Sequence, residues 1–359
     1  MKLLIDARSA RTPSGLYVLK GLASHWRNDP RVEAVTAVVR RGFDERLLLD
    51  GVETEQLPRE GLLSHVTTAI SRLADKHHAD VIFSPNATAP PDGRVVLFFQ
   101  DLYHFEMPDE RVPLRVIAGE KARGLWRTIA SPRCLVAVTV SEHLARHVRT
   151  RVRLPVAVIP HGIEVNGTVW TGGGSHLLVM GGIGSRKGED HAIRSWASVT
   201  APERAGAHLE IIGVEPAFRR DELKELAKAL GCADSVSITA TVPRHHFLER
   251  IASSMVSISC TTFESFGLPV AEALVIGAPV ACTDIPAHRE LVARARGGEM
   301  FAPGNVAALA AVMKRVLQGA APRVADARQP DWGWAARASQ HLDAYLEAIT
   351  ERRGASVRN

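Results

Sequence analysis

Thr262-Phe263-Glu264-Ser265-Phe266-Gly267-Leu268-Pro269-Val270-Ala271-Glu272-Ala273 follows an apolar run that closes at Cys260 and leads into a short helix ending before Gly277. Gly267 permits close approach of another backbone. Pro269 falls in the first helical turn, where a missing N–H costs nothing, so the main-chain donors of Phe266 to Val270 are expected to point at an anion. Strand, phosphate cradle and helix in that order make one βα unit of a parallel sheet. Two glutamates eight residues apart flank the cradle. Glu264 at its lip suits a sugar hydroxyl and Glu272 in the first turn suits a ribose diol. The plainer alternative has Glu272 compensating the helix dipole and Glu264 solvated.

The same alternation extends in both directions. Downstream of residue 175, strands at His176 to Met180, Leu209 to Ile212, Val236 to Thr239, Val256 to Ser259 and Pro279 to Cys282 alternate with helices. The helices are expected at Glu189 to Val199, Arg219 to Leu230, His245 to Ser253, Val270 to Ile276 and Val306 to Leu317. Upstream, apolar runs at Leu3 to Asp6, Val35 to Val39, Val81 to Ser84, Val95 to Phe99, Cys134 to Val140 and Val156 to Ile159 are separated by candidate helices such as Tyr17 to Trp26 and Leu62 to Lys76. Periodicity fails at residues 166–175, a Gly-rich polar stretch read as a linker. The expectation is an α/β protein of two doubly wound Rossmann-like lobes, residues 1–165 and 176–331, facing each other across a ligand cleft. A last amphipathic helix, residues 332–352, carries Trp334, Leu342, Tyr345, Leu346 and Ile349 at near-helical spacing.

At 359 residues, 46% hydrophobic and 23% charged, the chain has the balance of a two-domain globular protein, which excludes disorder, collagen and coiled coil. No apolar run reaches the roughly 18 residues of a spanning helix, and Met1 to Asp6 is too short for a signal segment and reads as a buried strand. Four cysteines without a C-x-x-C pair favour neither a zinc cage nor a disulfide framework, and a cytoplasmic location is expected. The net charge of +5 points to anionic ligands or a membrane face more than to nucleic acid.

Other stretches carry candidate chemistry. Gly181-Gly182-Ile183-Gly184-Ser185-Arg186-Lys187-Gly188 also joins a strand to a helix, and Arg186 or Lys187 would stabilise a leaving diphosphate in place of a metal. As a dinucleotide fingerprint this stretch lacks the acidic residue that ribose recognition needs at the end of the next strand. Pro13-Ser14-Gly15, in the loop after the first strand, brings a glycine that can approach a phosphate, or is an ordinary βα turn. Gln100, Asp101 and His104 gather at the C-terminal end of another strand. His143 and His147 stand four apart without a third zinc ligand. Between Arg111 and Arg133, basic residues interleave with Leu125, Trp126 and Ile129, which fits either peripheral contact with anionic lipid or a solvated face.

Together these stretches resemble the retaining GT-B glycosyltransferases of family 4, which include bacterial mannosyl- and glucosyltransferases. Glu264 to Glu272 is similar to that family's E-x7-E element, with Phe266-Gly267-Leu268-Pro269 in its core. The resemblance implies that Glu264 meets the donor sugar, Glu272 the nucleotide ribose, and Arg186 and Lys187 the diphosphate, with Gly182 standing where many members carry arginine. Ala240-Thr241-Val242-Pro243 resembles the G-x-V-P loop that meets the nucleobase through main-chain atoms. Val158 to Glu164 resembles an interdomain segment, with His161 in place of the usual Asn. Thr139-Val140-Ser141-Glu142 matches a strand end, and the Trp332 to Trp334 region resembles a segment that crosses back to the first lobe. The family's H-D pair is replaced by Gln100-Asp101, with His104 nearby as a substitute.

The resemblance implies transfer of a hexosyl unit from a UDP-, GDP- or ADP-linked sugar to a glycan, glycolipid or small-molecule acceptor held by the first lobe. No cofactor and no nucleic acid are implied. The chain contains no D-x-D sequence to carry a metal to the donor, so metal-independent chemistry is expected. A GT-B epimerase or phosphorylase and a non-catalytic nucleotide-sugar or glycan-binding subunit are the alternatives, the latter motivated by Gln100.

Overall fold

The structure is a computed structural model and describes residues 1–9, 13–40, 43, 52–57, 69–85, 90, 92–101, 105, 114–325 and 330–357. Described residues up to 162 and from 330 onward form one compact unit, and residues 163–325 form a second.

The first unit holds strands β1 (Lys2–Asp6), β2 (Ala34–Arg40), β3 (Glu53–Leu57), β4 (Val81–Ser84), β5 (Val95–Phe99), β6 (Val136–Thr139) and β7 (Val156–Val158). They form one sheet in the order β3-β2-β1-β4-β5-β6-β7, parallel at each pairing. Its helices are α1 (Pro13–Trp26), α2 (Ala69–Lys76), α3 (Leu114–Ala130) and α4 (Glu142–Arg149). Strands β4 and β5 are buried along their whole length, as a parallel sheet covered on both faces requires. The edge strand β3, Glu-Thr-Glu-Gln-Leu, has no apolar run to announce it, because only Leu57 of its five residues is buried.

The second unit repeats the plan. Its strands are β8 (His176–Met180), β9 (His208–Ile212), β10 (Val236–Ile238), β11 (Val256–Ser259), β12 (Val280–Thr283) and β13 (Glu299–Phe301), in the order β10-β9-β8-β11-β12-β13 and parallel throughout. The helices are α5 (Glu189–Ala197), α6 (Ala201–Arg204), α7 (Ala217–Ala229), α8 (Arg244–Ser253), α9 (Leu268–Ile276), α10 (Pro286–Ala295) and α11 (Val306–Leu317). Helix α10 and strand β13 were not expected from the sequence: α10 is mixed in character, and β13 has only Phe301 buried among its three residues. The Gly-rich stretch 166–175 is fastened to the second unit: the Trp170 indole donates to the Ser254 carbonyl at 2.8 Å and Thr171 N–H to the Ala252 carbonyl at 2.8 Å.

Helix α12 (Trp334–Val357) belongs to the first unit, where its apolar face closes the core. Leu342 and Tyr345 are fully buried, and the Trp26 indole donates to the Ala338 carbonyl at 3.1 Å. Trp334 fits against two glycines. A Cβ on Gly21 would lie 2.3 Å from its ring, and one on Gly162 would lie 2.4 Å from the ring and 2.6 Å from its Cα. His161, beside Gly162, is buried, and burial lowers its imidazole to about 3, so it is a neutral core residue. No helix among the described residues is long and apolar enough to cross a membrane. On α3, Leu125 and Ile129 are exposed while Arg127 is buried, so Arg127 is no part of a basic outer face.

Replacing Trp334 by Ala is expected to destabilise the first unit by about 3–5 kcal/mol, and Gly162→Ala by about 1–3 kcal/mol through forced displacement of the indole. Denaturant unfolding followed by tryptophan fluorescence and circular dichroism checks both. A Gly162→Ala protein as stable as the parent would contradict the close packing.

Candidate active site

In a sheet ordered β10-β9-β8-β11-β12-β13 the direction of winding reverses between β8 and β11, so the chain leaves those two strands toward opposite edges of the sheet, and a crevice forms at their C-terminal ends. The loop after β8 is Gly181–Gly188, and the loop after β11 leads to Glu264 and Gly267. Sequence motifs about 80 residues apart thus meet because their strands are neighbours.

Two backbone contacts lock these loops together. Thr262 N–H donates to the Arg186 carbonyl at 2.9 Å. Gly188, at φ +69°, lies so close to β11 that an added Cβ would sit 2.5 Å from the Cys260 carbonyl oxygen. The result places Lys187 Nζ 2.5 Å and Arg186 Nη1 3.4 Å from Oε1 of Glu264, while Arg186 also donates to the Phe263 carbonyl at 3.0 Å. Burial raises the Glu264 carboxyl, but Lys187 and Arg186 outweigh it and hold the group below the usual carboxylate range. Glu264 is therefore ionised at neutral pH.

Gly267, at φ +93°, caps α9, with Leu268 and Pro269 opening the first turn and Phe266 buried beneath. The nine-residue helix directs its positive end into the crevice. Glu272 lies one turn further in and is buried. It pairs with the Arg244 guanidinium, which also donates to the Glu164 carbonyl at 2.9 Å. Burial dominates at Glu272 and raises its carboxyl despite Arg244. Val242 is half-buried in the loop that precedes α8, two residues before Arg244.

Gly182 packs under Lys187, whose Cε would be 2.7 Å from an added Cβ, so a larger side chain at this position would displace the lysine stem. Its N–H donates to Oε1 of Glu189 at 3.2 Å. Glu189 is completely buried at the start of α5, its other oxygen has no hydrogen-bond partner among the described residues, and the nearest cation is Arg219 at 4.0 Å.

In the first unit, Gln100 follows β5 and its amide donates to the Pro85 carbonyl at 2.9 Å. Gly15 lies in the first turn of α1, not in a loop as expected from the sequence, because the helix already starts at Pro13. His104 lies outside the described residues. Sequence reasoning missed Glu189, Arg244 and His288. Glu189 directly follows the Lys-Gly pair and Arg244 the Val-Pro pair, so both stand beside a recognised motif. His288 carries no local signal.

One group among the described residues, His176, His208 and Glu210, has ligand atoms within 4.8 Å of one another. It lies at the N-terminal end of the second sheet, away from the crevice. Arg250 already satisfies it, pairing with Glu210 and accepting at its carbonyl from His176 Nε2 at 3.1 Å. The four cysteines are buried and free, and burial raises the Cys134 and Cys282 thiols to about 12, which leaves both inert.

Comparison with known proteins bears on the fold and on the second unit. The chain shares its fold with sucrose-phosphate synthase from Thermosynechococcus elongatus at 14% identity, covering 100% of this chain and 99% of that one with a TM-score of 0.66. It shares it also with Anabaena Alr3699/HepE, solved in complex with UDP-glucose, at 15% identity, 99% and 100% coverage and a TM-score of 0.68. The chain is thus an α/β protein of the GT-B glycosyltransferase fold. Residues 168–329, which make up most of the second unit, match the model of the family described as glycosyl transferases group 1. Among curated relatives, the 2-deoxystreptamine glucosyltransferase of Streptomyces kanamyceticus is 28% identical over 156 residues, 44% of this chain and 40% of that protein. The D-inositol 3-phosphate glycosyltransferase of Acidothermus cellulolyticus is 27% identical over 206 residues, 55% of this chain and 44% of that protein. The chain spans less than half the length of these relatives. Family and fold together bear out the resemblance to GT-B glycosyltransferases.

Burial raises the Glu189 carboxyl above its ordinary 4.5, and Arg219, the helix start and the Gly182 N–H offset only part of that. A carboxyl raised in the folded state keeps its proton to higher pH than in the unfolded chain, so its ionisation costs stability as pH rises above the unfolded value. Glu189→Gln, which still accepts from Gly182, is therefore expected to melt above the parent at about pH 7 and with it near pH 4. Thermal melts across that range test this, and a lower melting temperature at neutral pH would show that the Arg219 attraction dominates.

Proposed function

We propose that the chain is a retaining glycosyltransferase that moves a hexosyl unit from a nucleotide diphosphate sugar to an acceptor hydroxyl without a bound metal. The observation that carries this reading is the convergence of Lys187 and Arg186 on Glu264 at the positive end of α9, inside the segment that matches the glycosyltransferase family. Two fixed cations and a helix N-terminus suit a diphosphate, and a carboxylate held between them suits the hydroxyls of the attached sugar.

As the bond from the anomeric carbon to phosphate oxygen breaks, negative charge grows on the diphosphate and the sugar becomes oxocarbenium-like. Lys187 and Arg186 neutralise the first, and ionised Glu264 supports the second and orients the sugar. Glu272 takes the ribose diol, Val242 lines the base site with its main chain, and Gly182, Phe266, Gly267 and Leu268 shape the diphosphate cradle. The first unit binds the acceptor, and it also carries Gln100 and Gly15. Retention of configuration rests on the family resemblance. The UDP-glucose complex of the HepE fold relative and the glucosyltransferase name of the Streptomyces relative favour UDP-glucose as the first donor to try.

Lys187→Ala is expected to weaken binding of the nucleotide diphosphate at least about tenfold, the worth of one charge-assisted hydrogen bond. Titration calorimetry against UDP, GDP and ADP in EDTA reads this directly, and undiminished affinity in a folded Lys187→Ala protein would remove the diphosphate assignment. Glu264→Ala is expected to lower turnover by roughly two orders of magnitude with less effect on donor affinity. Donor hydrolysis and transfer assays measure that split. Donor binding without hydrolysis or transfer in the wild type would favour the non-catalytic alternative.

A further inference from the structure

His288, in the first turn of α10, is completely buried directly behind the phosphate cradle. Its Nδ1 lies 2.9 Å from the Thr283 carbonyl, which can only accept, so Nδ1 carries the proton of the neutral ring. Nε2 is then left with a lone pair and has no hydrogen-bond partner among the described residues. A buried ring nitrogen without a partner is a cost the fold bears for a reason. The ring fills the space left by the missing side chain of Gly267, where an added Cβ would be 3.3 Å from Cδ2 and 3.4 Å from Nε2.

The charged groups that act on this ring come from two other elements: Glu264 from the loop after β11 and Lys187 from the turn after β8, with Arg186 flanking Glu264. On its own helix Arg289 turns outward and pairs with Asp284 at 2.5 Å. In the free protein Lys187 neutralises Glu264, burial lowers the His288 imidazole, and the ring is neutral. A diphosphate arriving at α9 competes for Lys187. The half-buried Glu264 carboxylate then loses its nearest cation while a second anion appears close by, and both changes favour a positive charge on the ring.

We propose that His288 takes a proton from solvent onto Nε2 when the donor diphosphate draws Lys187 away from Glu264, so that donor binding is coupled to proton uptake. His288 is a positioning residue: its protonated ring replaces Lys187 as the cationic neighbour of Glu264 and holds that carboxylate and the Gly267 turn in place. The inference rests on the donor site of the preceding subsection. Its pH consequence follows from linkage. A group that binds a proton more tightly in the complex makes affinity fall as pH rises, by up to about tenfold per pH unit between its free and bound values.

The test is titration calorimetry of the full chain with UDP-glucose, GDP-mannose and ADP-glucose, in two buffers of different ionisation enthalpy and from roughly pH 5.5 to 8. The diphosphate of these sugars has no titrating proton in that range, so buffer-dependent heat reports the protein. The expected result is uptake of a fraction of one proton, with affinity falling as pH rises. His288→Gln, which offers a donor at the same place but does not titrate, is expected to bind the donor with buffer-independent heat and a flat profile. Wild-type binding with buffer-independent heat overturns the proposal, as does unchanged proton uptake in His288→Gln. The wild-type titration decides alone if the variant does not fold. Failure of all three donors to bind overturns the donor site itself, and this inference with it.

Discussion

The charged residues of the second unit are held together by backbone. Gly188 lies against the Cys260 carbonyl because it has no Cβ, and Thr262 N–H bonds to the Arg186 carbonyl at 2.9 Å. With those contacts in place, Lys187 and Arg186 have little choice but to meet Glu264. A side chain at position 188 would separate the two loops and leave a carboxylate without its cations in a poorly solvated crevice, which is far more costly than a surface ion pair is worth.

Both glutamates of the crevice are engaged in the free protein, Glu264 with Lys187 and Arg186, and Glu272 with Arg244. The pairs differ in balance: the cations prevail at Glu264, and burial prevails at Glu272. A ligand that carries both phosphate and hydroxyl groups can exchange with these partners without stranding a charge, since phosphate takes the cations and hydroxyls take the carboxylates. Such exchange gives preference to a molecule bearing the two kinds of group at the right separation over an isolated anion.

The first unit depends on a different kind of contact. Its sheet is completed by a helix from the far end of the chain, with Trp334 seated on Gly21 and Gly162 and with Trp26, Phe83, His341 and Tyr345 packed as an aromatic cluster beneath. His341 in that cluster and His161, which packs beside Phe98 and Trp334, are neutral, each lowered to about 3 by burial, and His341 Nδ1 meets the Tyr345 hydroxyl at 2.8 Å. Histidines that look chemically available in the sequence are here packing residues.

The apolar runs of β4, β5, β8 and β11 were legible in the sequence because a strand buried on both faces is a continuous hydrophobic segment. So were the two glycine loops and the glutamate pair, because helix starts that receive anions need particular residues at short spacing. Strands β3 and β13 were not, since edge strands half in water carry no such run. Neither was His288, nor the Arg244 and Glu189 contacts, because these depend on which strands become neighbours. The sequence by itself determined two parallel α/β units and the residue types that face an anion. Only the tertiary structure decided that β8 lies beside β11, so that Lys187 meets Glu264 from about 80 residues away, and that β12 lies on the other side of β11, so that His288 comes to lie behind Gly267, because strand order brings together groups that are distant along the chain.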